Sequence, residues 1–181
     1  MLISEIYRSI HHDWGGKPFE DINRGVDFAL EKFSYLNPNS ISALGASYGG
    51  YLVNWINGHS ERFCCLVNHD GIFTLSNLYY QTEELWFPEW EFGPAGENDA
   101  ELRRWSPDLH VRNWHTPTLV IHGGRDYRVP DSEGIATFTA LQRMGIRSKF
   151  LYFIDEGHQV SKPANNVLWH ETVLSWLREF S

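Results

Sequence analysis

Residues 41–50 read ISALGASYGG, and the reading of this stretch decides the fold. A short apolar run ends in one serine, Ser47, set between Gly45 and the pair Gly49–Gly50. Glycine weakens ordinary strands and helices, so this clustering marks a backbone bend that other residues resist. A strand that turns sharply into a helix, with a hydroxyl held at the turn, meets that description. The spacing is Gly-X-Ser-X-Gly, and the residues that follow predict a helix over 48–57.

The same alternation continues outward. Apolar-rich runs predict strands at 40–44, 63–67, 118–121 and 149–154. Longer segments with apolar residues at helical spacing predict helices at 18–33, 132–144 and 163–180. Pro18 and Pro163 sit at first-turn positions, and Gly145 follows the middle helix as a stop. Strands alternating with helices imply βαβ units, hence an α/β fold with a parallel sheet of about four strands and helices on both faces. Residues 74–113 break the rhythm with an aromatic, Pro/Gly-punctuated stretch (ELWFPEWEFGPAGEN). Short helices near the carboxyl ends of the strands, where ligands bind in such folds, are expected there.

The chain has 181 residues, enough for one domain with a core of its own. A hydrophobic share of 42% against 21% charged is the balance of a globular domain. Eight tryptophans and an aromatic share of 15% predict a large core or a ring-lined pocket. A net charge of −8 argues against a nucleic-acid partner, which needs a basic face. No apolar run is long enough for a membrane span, and residues 1–10 lack the form of a signal peptide. Cys64 and Cys65 are adjacent, which aims them at opposite faces of a strand and predicts apolar filling without a bridge. His11 and His12 are expected at a solvated helix end, and no zinc-ligand spacing occurs.

A serine hydroxyl stays protonated at neutral pH, so as a nucleophile it needs a base, and the base needs a carboxylate to orient it. Those partners are expected in the order acid then histidine, each on a loop after a later strand. Asp126 follows the third strand in HGGRDYRVP, and His158 follows the fourth in DEGHQV. Asp155 and Glu156 adjoin the histidine rather than the preceding strand. Asp70, after the second strand, is the more serious rival for the acid. The N–H of Tyr48 is the expected oxyanion donor.

GASYGGY, HGGRDYRVP and DEGHQV together resemble the catalytic domain of the prolyl oligopeptidase family of serine peptidases. WGGKPFEDI, VNHDGIF, TEELWFPEWEFG and SKFLYFIDEGH are similar to its acylaminoacyl-peptidase-like branch, in the pattern of the fungal dipeptidyl-peptidase V type. The resemblance implies a partial α/β-hydrolase fold, with Ser47, Asp126 and His158 as nucleophile, acid and base. It implies cleavage of short peptides near a free N-terminus through an acyl-enzyme, with no metal or cofactor. Trp86, Phe87 and Trp90 are expected near the substrate. Residues 1–181 then stand as the C-terminal part of the peptidase domain, without the β-propeller of full-length members. The loop carrying a second oxyanion donor is expected just before Trp14, where no such motif is read. Secretion is suggested by relatives of this branch. The competing expectations are an esterase or other acyl hydrolase of the same fold, or a non-catalytic remnant.

Overall fold

Four apolar-rich runs form strands in the computed structural model, which describes residues 10–94, 96–97 and 99–180. They are β1 (Ser42–Ala46), β2 (Cys65–His69), β3 (Thr118–Gly123) and β4 (Ser148–Phe153). All pair in parallel, in the order β1-β2-β3-β4. The helices are α1 (Lys17–Lys32), α2 (Tyr48–His59), α3 (Leu75–Gln81), α4 (Trp86–Phe92), α5 (Asp99–Arg104), α6 (Asp131–Arg143) and α7 (Pro163–Phe180). A 3-10 turn at Pro107–Asn113 leads into β3.

Side chains alternate across a strand, and that alternation builds two layers of core. Leu66 of β2 packs with Tyr51, Leu52 and Trp55 of α2, and Val120 of β3 packs with Leu141 of α6. Their neighbours Cys65, Val67, Leu119 and Ile121 join Val173 and Trp176 of α7 on the opposite face. The Trp176 indole N–H also reaches the Leu66 carbonyl at 3.1 Å, which fixes α7 across the sheet. β3 is buried along its whole length, as a central parallel strand should be. β1 lies at the end of this strand order, with Leu44 48% exposed. No residue of α1 is fully buried, although Phe19 and Ile22 pack partly against the α2 cluster.

The predicted elements are all present, with local shifts that have physical causes. β1 starts two residues after the predicted strand because Ser40 N–H closes a turn onto the Asn37 carbonyl. β2 also starts late, since Phe63 turns into the α2 cluster before the strand begins. Cys64 therefore precedes the strand, so opposite-face geometry does not apply to the pair. Both cysteines are free, and both sulfurs approach Ser42 Oγ, at 3.5 and 3.2 Å. The histidine pair is no helix end either. His11 stacks on Trp90 with ring centroids 5.1 Å apart, and His12 takes a left-handed turn at φ 60°.

Candidate active site

The turn between β1 and α2 is built by backbone contact. Ser47 adopts φ 57°, ψ −120°, a conformation that side chains rarely accept, and strain of that kind persists only where its surroundings enforce it. Its N–H is tied to the His69 carbonyl at 2.9 Å, and its carbonyl accepts the Tyr51 N–H at 2.9 Å. Gly50 lies against the next strand's turn, where an added Cβ would fall 2.6 Å from Gly71 Cα. The two loops thus touch backbone to backbone. Ser47 Oγ makes no hydrogen bond among the described residues, His158 included.

The loops after β3 and β4 bring Asp126 and His158 together. A Cβ on Gly123 would fall 2.2 Å from the Gly157 carbonyl oxygen, so the small residue is what lets the β4 loop close over the β3 loop. Arg125 N–H donates to the Glu156 carbonyl at 2.8 Å across the same seam. His158 Nδ1 donates to Asp126 Oδ2 at 2.7 Å. Asp126 Oδ1 accepts the N–H groups of Arg128 (3.0 Å) and Val129 (2.9 Å), which fix the carboxylate. With Nδ1 committed, Nε2 is the nitrogen left to act as a base.

Burial pushes the His158 imidazole down. The hydrogen bond donated to Asp126 and the charges of Asp126 and Asp70 outweigh it, so the group titrates above its ordinary 6.5 despite Arg128 acting against it.

Glu156 anchors the base loop. Its carboxylate accepts the N–H groups of Ser161 and Lys162, the Ser161 hydroxyl and the Asn165 amide, all within 3.1 Å. Burial raises this carboxyl, but the Asn165 amide and the two N–H groups prevail and hold it below its ordinary 4.5. Glu156→Ala is expected to cost roughly 1–3 kcal/mol, since four donors lose their acceptor. A lowered folded pKa gives stability that is present above 4.5 and lost as pH falls through the folded value. Thermal melts across pH should therefore show the parent–variant gap widest near neutrality and narrowing in acid.

A family profile described as "Prolyl oligopeptidase family" matches residues 4–181. The chain belongs to the prolyl oligopeptidase family. The dipeptidyl-peptidase 5 of Schizosaccharomyces pombe is 49% identical over 176 residues, covering 96% of this chain and 26% of that protein. The dipeptidyl-peptidase 5 of Porphyromonas endodontalis is 42% identical over 174 residues, covering 93% and 25% respectively. The chain thus spans about a quarter of the length of these relatives. Among solved structures, the acylaminoacyl peptidase of Pyrococcus horikoshii superposes with a TM-score of 0.91 at 23% identity, covering 95% of this chain and 29% of that one. That likeness speaks for the fold, which is α/β-hydrolase-like.

Beside the serine of this prolyl oligopeptidase family chain lies a cavity of about 320 Å³. Trp86 and Phe87 line it together with Trp14, Tyr48 and Arg128. Trp90 does not; it is 66% exposed and faces His11. The wall residues missed in the sequence include Trp14, whose carbonyl accepts the Tyr48 hydroxyl at 2.7 Å, and Arg128, paired with Glu84 at 2.8 Å. Burial, with Glu91 and Asp13 nearby, keeps that Tyr48 hydroxyl protonated well above its ordinary value. The expected second oxyanion loop falls mostly within residues 1–9, outside the described residues.

Under the base, Asp70, His122 and Asp126 bring possible ligand atoms within 4.8 Å of one another. His122 Nε2, however, lies 2.8 Å from the Val129 carbonyl, which can only accept. That nitrogen therefore carries its proton and has no lone pair for a metal. The cluster is a polar floor.

Proposed function

We propose that this chain is the catalytic part of a serine peptidase that cleaves short peptides near a free N-terminus, as the dipeptidyl-peptidase relatives are named to do. One observation carries the reading: a 2.7 Å imidazole–carboxylate contact on the loops after β4 and β3, at the same strand ends as a serine held at φ 57°. In this scheme Ser47 Oγ attacks the scissile carbonyl and its proton passes to His158 Nε2. The Tyr48 N–H donates to the oxyanion. The proton then goes to the departing amine, leaving an acyl-enzyme on Ser47. Water activated by the same imidazole releases the product acid and restores the serine. Asp126 keeps Nδ1 protonated and the ring oriented throughout.

The deciding experiment is covalent labelling of the purified chain by a fluorophosphonate. Stoichiometric labelling that is absent in Ser47→Ala and His158→Ala is the expected result. A cooperatively folded chain that stays unlabelled would sink the reading. Matched dipeptidyl-amide and simple ester substrates then test the bond class, with a requirement for a free N-terminus marking the peptidase.

A further inference from the structure

The polar floor holds a second carboxylate that the scheme above leaves idle. Asp70 follows β2, is 1% exposed, and is held rigidly. Its backbone sits at φ 49°, and its N–H donates to the Ile121 carbonyl at 2.9 Å. The next residue, Gly71, donates its N–H to Asn68 Oδ1 (2.9 Å), and Asn68 donates in turn to Asn54 Oδ1 (2.7 Å). The carboxylate therefore has little freedom to swing.

Its two oxygens are treated differently. Oδ1 accepts the Gly123 N–H at 3.2 Å. Oδ2 is buried and accepts no hydrogen bond from the described residues. It lies 3.0 Å from His69 Nε2 and 3.9 Å from His158 Nδ1. An unsatisfied anionic oxygen in a dry site is costly, and each one kept in a fold calls for a reason. The imidazolium that forms on His158 supplies one.

We propose that Asp70 is a positioning residue for the base: a second carboxylate that shares with Asp126 the electrostatic support of protonated His158. This rests on the reading of His158 as the base of Ser47. When the ring is neutral, His158 offers no charge to Asp70, whose Oδ2 has His69 Nε2 as its nearer neighbour. When the ring takes the proton from Ser47, a positive charge appears about 4 Å away, where an opposite charge acts strongly in a low-dielectric site. The benefit thus falls on the protonated state more than on the resting one, which is where catalysis gains.

Among the described residues, the other charged and titratable groups around the ring are few. Asp126 and Arg128 face it from the loop after β3, and His69 adjoins Asp70 on the turn after β2. His122 stands between the two carboxylates, its Nε2 3.7 Å from each and 2.8 Å from the Val129 carbonyl.

The test is a nuclear magnetic resonance titration of the His158 ring, identified by its loss in His158→Gln. It is run on the parent, Asp70→Asn, Asp126→Asn and the double variant. Asparagine suits a left-handed backbone and keeps an acceptor for Gly123, so Asp70→Asn removes charge with little change of shape. An opposite charge at this range shifts a titration by about 1 unit or more. Asp70→Asn should therefore lower the His158 midpoint by about 1 unit, and the double variant should fall about as far below Asp126→Asn. Curves for Asp70→Asn that overlay the parent, with the double overlaying Asp126→Asn, would overturn the proposal. Should Asp70→Asn not fold, Asp70→Gly also accepts φ 49° and must show the same shift. Fluorophosphonate labelling of the same samples reports on Ser47 separately, so a failure of the peptidase reading is distinguishable from a failure of this one.

Discussion

His158→Ala is expected to lower turnover of a dipeptidyl amide by about 10⁴- to 10⁶-fold, with Ser47→Ala falling as far and the pair falling little further. The lack of additivity is the informative part. A serine without its base and a base without its serine are equally idle, so the second deletion removes nothing that still works. Asp126→Asn should cost about 10⁴-fold, through an imidazole held in the wrong tautomer.

The pH dependence follows from the same contacts. Asp126 and Asp70 together hold the imidazole above 6.5. The base must be neutral to accept the serine proton, so the acidic limb of kcat/KM should lie above 6.5 and activity should fall as pH drops through it. Stability runs the other way. A raised folded pKa contributes stability that is complete below the unfolded value and is lost as pH rises through the folded one. The chain gains its working base over the range in which this increment of stability disappears. Steady-state rates and thermal melts on one pH series would check both slopes.

Gly45→Ala carries the second large expected effect. Its Cβ would fall 2.1 Å from the Gly49 carbonyl oxygen and 2.3 Å from the Gly49 carbonyl carbon. Both are backbone atoms in the first turn of α2, which cannot yield without breaking the turn that holds Ser47. A cost of about 3–5 kcal/mol is expected, a large part of the stability of a domain this size. Gly49→Ala is the control. An added Cβ there meets nothing within 4 Å, and in a helix alanine is favoured over glycine by about 1 kcal/mol. Denaturant melts should thus show one motif glycine as indispensable and the other as neutral or improvable.

That contrast marks the limit of what the sequence made legible. The pattern around Ser47 pointed to a tight turn, and the alternation of strands and helices placed Asp126 and His158 on successive loops. Periodicity and turn chemistry are local, and local signals survive in a single sequence. Which glycine is required depends on where a distant backbone passes, and only folding supplies that. Gly50 is needed because Gly71 lies against it. Glu156 and Glu133 carry no local signal of burial, yet both are 1% exposed, each accepting hydrogen bonds from backbone N–H groups. Trp90 failed the opposite way. It shares a helix with Trp86 and Phe87, but faces His11 and not the cavity.

The sheet places its strands in the order in which they occur along the chain. On a ribosome this becomes a sequence in time. β1 emerges with the serine, but the carbonyl that ties the serine's N–H, on His69, arrives only with β2. The acid comes with the loop after β3, and the base only after β4. At ordinary elongation rates the interval from first strand to last is on the order of ten seconds. Throughout that interval the nascent polypeptide carries its serine but no His158. A site assembled as proposed would therefore stay incomplete until the last loop is made.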